Sequence, residues 1–197
     1  MKKIILLAAI FISAKSYSQQ QADLNSFNRE RNRITRNGMI TLAGWSAANL
    51  IYSGIATGQT HGTNLYFHQM NVMWGGINLG LAALGYLGIK NKDGMTLAQS
   101  LKQQSGVEKT YIFNLGLDAA YIASGFYLKE RSRNPSVKNP QKFKGYGESI
   151  ILQGAGLMLL DGVMFTIHNF HGKKIYKLME KTQVGFTGNG LGVLVKL

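Results

Sequence analysis

Asp118 and Asp161 are the residues of this chain whose type and setting most strongly suggest chemistry. Asp118 is the only Asp, Glu, Lys, Arg or His between Thr110 and Leu128, and Asp161 shares the stretch Ser149 to Phe170 with His168 alone. A carboxylate isolated in apolar sequence is expensive unless it is paired, protonated or bound to a cation. Two more apolar stretches, Gly38 to Thr57 and Met70 to Ile89, hold no acid or base but carry Asn49 and Asn78 near their midpoints. One strongly polar side chain per stretch, at nearly one depth, is hard to ascribe to chance. At helical spacing the polar stripes continue as Ser46, Asn49 and Ser53, as Asn71, Trp74 and Asn78, as Asn114, Asp118 and Tyr121, and as Gln153, Asp161 and His168. The candidate polar core is therefore Asn49, Asn78, Asn114, Asp118, Gln153, Asp161 and His168.

Three accounts of that core stay open, and the expected function is a structural or interaction role in the cell envelope, with a carrier or ligand-binding bundle using Asp118 and Asp161 as the alternative. The amides and carboxyls can hydrogen-bond across helices and fix their register. The two carboxylates can serve a proton- or cation-linked carrier, or they can line a site for a small organic ligand or a lipid headgroup. Other chemistry is poorly supported. His61 and His68 fall at one end of the stretches and His168 and His171 at the other, where a histidine is expected to cap a helix end. With no Cys there are no thiolate metal sites, disulfides or Cys nucleophiles. HExxH, GxSxG and GxxxxGK are absent, so no cofactor, metal or catalytic residue is expected, and an enzyme is the weaker expectation.

The elements that must hold these residues follow from composition. The chain has 197 residues, 22 Lys and Arg against 9 Asp and Glu, 24 Gly and 2 Pro. The four stretches are each near the roughly 20 residues that cross a bilayer, and the charges lie between them. Small residues punctuate them: Gly76 and Gly80, Gly54 and Gly58, and Gly116 and Ala120 have the spacing that lets helices approach closely in lipid. No charged stripe of the kind a soluble amphipathic helix shows runs along them. The expected fold is all-α, a four-helix transmembrane bundle with an amphipathic N-terminal helix and a short β-like C-terminal tail. The expected parts are a signal peptide over 1–18, an amphipathic juxtamembrane helix over 19–37, the membrane domain over 38–181 and a hairpin-like tail over 182–197 with its turn at Gly188-Asn189-Gly190. The short echo of Asn78-Leu-Gly-Leu-Ala-Ala in Asn114-Leu-Gly-Leu-Asp-Ala-Ala hints at a duplicated helical hairpin.

Lys2 and Lys3, the apolar run Ile4 to Ile12 and Ser16-Tyr17-Ser18 form an export signal. The expected location is the inner membrane of a Gram-negative-type bacterium, ahead of periplasm or outer membrane. Export puts the mature amino terminus outside, yet only six basic residues lie in the then-cytoplasmic loop 129–144 and thirteen lie on the other side. This is the reverse of the usual positive-inside bias. Such an outer excess suits anionic lipid headgroups or polyanionic envelope polymers. The expected partners are thus the lipid bilayer, those polyanions and a second copy in a homo-oligomer, and not nucleic acid. The block FHQMNVMWGGINLGLAALG, the signal ending SYSQQ and the basic loop before GYGESIILQGAGLMLLDG resemble an uncharacterised family of exported four-span proteins of Bacteroidetes, over about Arg29 to Lys181. That resemblance implies a small helical membrane protein and brings no activity with it.

Overall fold

A computed structural model describes the backbone of residues 2–180, 182–187 and 190–195 and the side chains of residues 19–176. Four helices make up its body: α1 (Lys2–Thr57), α2 (Gly62–Gly88), α3 (Leu97–Arg131) and α4 (Pro140–Glu180). Strands β1 (Thr182–Thr187) and β2 (Gly190–Val195) follow as an antiparallel pair, with Thr182 opposite Val195 and Thr187 opposite Gly190. The fold is thus helical, and the β-like tail is a ribbon; residues 188 and 189 of its expected turn lie outside the described residues. The side chains of the expected signal peptide, 1–18, lie outside them too.

Local sequence explains where the helices begin and turn. Gly62 opens α2 with φ +61° and Gly94 bends the connection to α3 with φ +78°, a region that a side chain rarely enters. Residues 58–61 alone separate α1 from α2, so α2 begins eight residues before the apolar stretch that starts at Met70. Thr96 caps α3: its hydroxyl accepts from Gln99 N (3.2 Å) and the Gln99 side chain accepts from Thr96 N (2.9 Å), a reciprocal box. Pro140 starts α4, where its fixed φ and missing N–H cost nothing. Lys129 and Arg131 close α3 at the end where its dipole favours positive charge.

α1 pairs with α2, α3 pairs with α4, and α2 packs against α4. Glycine makes two of these seams possible, though not at the expected positions. A Cβ on Gly125 would sit 2.7 Å from the Gly147 carbonyl oxygen, and one on Gly154 would sit 3.1 Å from the Asp118 carbonyl oxygen, so α3 and α4 touch backbone to backbone. Gly145 meets α2 at Thr63 and Phe67 in the same way. Gly54, Gly76, Gly80 and Gly116 have no neighbour within 4 Å, so the expected small-residue pairs face outward. Spacing i, i+4 guarantees that two residues share a face of a helix, but not that the face is the inner one.

The segment 19–37 is not a separate helix. It is the middle third of α1, and it docks on the rest of the chain through buried Leu24, Phe27, Asn28 and Arg31. With residues 89–109 and the end of α4 it forms an extension beyond the polar-cored part of the bundle. At about 1.5 Å per residue, residues 19–57 of α1 reach about 58 Å and α3 about 52 Å, whereas α2 reaches about 40 Å.

Burial is inverted over most of the bundle. Among the described residues, the large apolar side chains exposed include Ile51, Leu84, Leu87, Phe113, Leu159 and Phe170, each at least 64% exposed. Ser46, Ser53, Asn71, Asn78, Asp118, Ser149, Gln153 and His168 are buried. The buried apolar cluster within the bundle is small: Leu42, Ala82 and Leu157, with Ala43, Trp74 and Leu160 against them.

Candidate functional site

Near mid-length the helices part around a chamber of about 420 Å³. α1 lines it with the segment 35–42, α2 with Trp74, Asn78 and Leu81, α3 with the run from Val107 to Tyr121, and α4 with Leu157, Leu160, Asp161 and Met164. The stripes explain why polar groups arrive there. Asn78 lies one helical turn beyond Trp74, and Tyr111, Asn114, Asp118 and Tyr121 recur at intervals of three or four residues along a single face of α3. The antiparallel seam sets the depths: the Asp118 carbonyl faces Gly154, and Gly162 packs on Leu115. Asp161 therefore sits about one helical turn further along than Asp118, about 5 Å by the rise of a helix, and Asn114 stands beside it.

The chamber's polar side chains are poorly paired. Trp74 Nε1, Asn78 Nδ2, Tyr111 Oη and Asp118 Oδ2 are buried with no hydrogen-bond partner, and all four residues line the chamber. A buried unpaired polar atom costs about 1–3 kcal/mol, so four around one space amount to a substantial cost when it is empty. No Lys or Arg lines the chamber. Trp74 and Tyr121 meet edge to face with ring centroids 4.9 Å apart.

Of the seven residues expected to share one polar core, the structure groups four here: Asn78, Asn114, Asp118 and Asp161. Asn49 and Gln153 belong to a second, closed network nearer the α1–α2 turn. Gln153 Nε2 donates to Asn49 Oδ1 (2.8 Å) and Asn71 Oδ1 (2.7 Å), Trp45 Nε1 donates to Gln153 Oε1 (3.1 Å), and Ser149 Oγ donates to Asn71 Oδ1 (2.8 Å). Its main members pair with one another, so it knits α1, α2 and α4 rather than awaiting a ligand. His68 closes the same end, its Nδ1 lying 3.2 Å from Ser53 Oγ.

His168 belongs to a third group, on the opposite side of the chamber. Its Nε2 lies 3.3 Å from Thr35 Oγ1, its ring stacks on Tyr111 at 5.5 Å, and its carbonyl accepts from Gln104 Nε2 (2.7 Å). Neither His168 nor His171 caps a helix end, because α4 continues to Glu180 and both rings are buried against α1. His171 meets Phe27 edge to face at 4.2 Å and has no hydrogen-bond partner; Glu30 Oε2 is 3.8 Å away, too far to accept. Burial holds the His171 imidazole below its usual range. No group of three or more metal-ligating side chains occurs among the described residues.

Residue types alone did not single out Trp45, Tyr111 and Ser149 as polar partners. The aromatic residues read equally well as interfacial or packing residues, and only the helix seams show what they face. A family of unknown function, DUF6992, matches residues 41–162, more than half of the chain. The chain belongs to this family. Its matched stretch holds Trp74, Asn78, Tyr111, Asn114, Asp118, Asp161 and the Gln153 network, and it ends before His168 and after the amino-terminal extension. No curated protein and no solved structure matches the chain.

Among the described residues, one helical segment, Pro140–Tyr176, is long and apolar enough to cross a membrane, with mean hydropathy 1.8 in its best window. Of the four expected spans, the structure thus gives four helices, and one of them passes as a span on length and composition. Ser, Asn, Thr and Gly, many of them buried in the bundle, lower the average of the other three.

Proposed function

We propose that this protein is an integral membrane bundle of the bacterial envelope that binds a small ligand between its helices. The membrane half of the reading rests on the inverted burial. A soluble monomer seldom exposes an apolar patch beyond about 300–600 Å², and the outward side chains here run along all four helices. Leaving a large apolar side chain half exposed to water forgoes about 1 kcal/mol; over some twenty of them that is comparable to or larger than the whole stability of about 5–15 kcal/mol. Hydrocarbon removes that penalty, and helices satisfy their own backbone there. The moderate hydropathy of α1 to α3 agrees, since their polar side chains turn toward the neighbouring helices.

The binding half is carried by one observation: four buried, unpartnered polar atoms on side chains around one chamber, beside two carboxylates. A purely structural core would resemble the Gln153 network, where donors and acceptors meet. The anionic polymers or headgroups that would suit the thirteen basic residues, and a homo-oligomer, remain further proposals about the extension and the outer face.

The membrane half is tested by carbonate extraction and vesicle flotation of the full chain. Retention in the pellet and flotation with vesicles are expected; release into the supernatant would sink it. The binding half is tested by abundance. Asp118→Asn and Asp161→Asn should accumulate in membranes at wild-type level, whereas loss of protein in both would return these residues to a packing role.

A further inference from the structure

We propose that the chamber takes an organic monoammonium compound: a protonated amine head held by Asp118 and Asp161, with an apolar body lying against the leucines. The proposal rests on the ligand-binding reading above and names its ligand class.

Charge comes first. Two carboxylates share the chamber with no Lys or Arg, so the charge that the site lacks is positive. An ammonium head supplies that charge together with two or three N–H donors, and Asp118 Oδ2 has no donor at present. Size and lining then separate an organic cation from a metal ion. About 420 Å³ falls within the range of small-molecule sites, and Leu42, Leu81, Leu117, Leu157, Leu160 and Met164 give the wall an apolar side. A hard cation would need a shell of several oxygens, and no cluster of metal ligands occurs among the described residues. The rings of Trp74, Tyr111 and Tyr121 belong to the same wall, as in sites that receive alkylammonium groups against aromatic faces. Trp74 Nε1, Asn78 Nδ2 and Tyr111 Oη are spare donors, so the preferred amine carries an acceptor, such as a hydroxyl or carbonyl, a few bonds from its nitrogen. Leu81 is 56% exposed while also lining the chamber, which places the rim at the outer surface of α2 and gives an apolar amine a lateral way in.

The experiment is a thermal-shift series on the purified full chain in detergent, using 2-phenylethylamine, 2-phenylethanol and 3-phenylpropanoate as probes of one shape and three charges. A ligand that binds only the folded state raises Tm with concentration. The amine is expected to raise Tm by a few degrees and to half-saturate at a concentration at least tenfold below the alcohol, with the carboxylate inert. Asp118→Asn should cost at least tenfold in amine affinity. Should that variant fold poorly, Leu81→Trp, which leaves both carboxylates and narrows the rim from an exposed position, should weaken the amine response instead. Equal responses to amine and alcohol, a response to Na⁺, K⁺ or Ca²⁺ in place of the amine, or undiminished amine binding in both variants would overturn the proposal. Flotation of the same preparations reports on the membrane reading separately, because the thermal series needs only a folded chain.

Discussion

Two successive stretches of α1 obey opposite rules. From Leu24 to Arg36 the helix buries Leu24 and Phe27 and exposes Arg29 and Arg33, with Arg31 the one fully buried charge. From Ile40 to Thr57 it buries Ser46 and Ser53 and shows Ile40, Ile51, Tyr52 and Ile55. α3 changes over at a similar level. The exposed large apolar residues of α3 begin at Ile112, and upstream of that the helix buries Ser100 and Gln104, next to an α1 segment held by polar bonds. Asn28 Nδ2 donates to Ser100 Oγ (2.9 Å), and Arg31 donates to Asn28 Oδ1 (2.7 Å) and Gln103 Oε1 (2.6 Å). A single unbroken helix thus passes from a stretch that buries apolar side chains to one that buries polar ones. Which side chains a helix hides depends on what surrounds it, and the position of the change marks a boundary that no loop reveals.

That comparison is broken most forcefully by placing one charge on each side of the boundary. Leu159 is 72% exposed near the middle of the fourth apolar stretch, and Ala98 is exposed in the extension. Leu159→Arg is expected to cost about 2.5–3.5 kcal/mol of membrane insertion, on the order of a hundredfold in the inserted fraction, if hydrocarbon covers it. Ala98→Arg should stay within about 0.5 kcal/mol of wild type. Equal, near-zero effects in a glycosylation-reporter insertion assay would show that both surfaces face water.

Glycine substitutions sharpen the same contrast between inner and outer faces. Gly125→Ala drives a Cβ into the Gly147 carbonyl and Ile151, and overpacking of this kind costs about 1–3 kcal/mol. Gly76→Ala fills open space on an outward face and should be neutral or stabilising by up to about 1 kcal/mol, the ordinary helix preference for Ala. Thermal denaturation of the two variants in detergent checks the pair. A Gly76→Ala variant less stable than Gly125→Ala would mean that the Gly76–Gly80 face is packed against something, a second copy being the first suspect.

The candidate site was legible where chemistry is conspicuous and illegible where geometry decides. Asp118, Asp161, Asn78 and Asn114 stand out because a bundle can hide few such groups, and a period of 3.6 puts them on defined faces. Sequence could not divide the seven polar candidates into a closed network, a chamber and a histidine group, since that division depends on the offset between antiparallel helices. The offset is set by Gly125, Gly147 and Gly154, whereas the conspicuous GxxxG of Gly76 and Gly80 points away. Arg31 and His171 were misleading for a related reason. Residues that normally sit at a surface are buried here because α1 runs on past the boundary and lies across α3 and α4.

The smallest effect concerns what holds the extension shut, and its sign follows from two groups. Lys174 Nζ donates to both oxygens of Glu30, at 2.7 and 2.9 Å, and holds that carboxyl below its ordinary 4.5. Burial holds His171 below its ordinary 6.5, with the cations Lys174 and Arg31 nearby acting in the same direction and Glu30 opposing them. Each group binds its proton less readily in the folded extension than in the opened one. Stability from His171 is therefore complete above about 6.5 and is lost as pH falls below it, while stability from Glu30 is lost below about 4.5. Glu30 is partly exposed and screened by solvent, so its share is the lesser. The Gln153 network, by contrast, joins Trp45, Asn49, Asn71 and Ser149, none of which titrates in this range. Amide exchange corrected for its intrinsic pH dependence should show residues 24–31 losing protection several-fold between pH 7.5 and 5 relative to residues 45–53. His171→Phe should remove that step and leave the decline below about 4.5. Uniform protection of both halves of α1 down to pH 5 would show that the extension is closed by Leu24, Phe27 and Ile175 alone, and that its buried histidine is a packing residue.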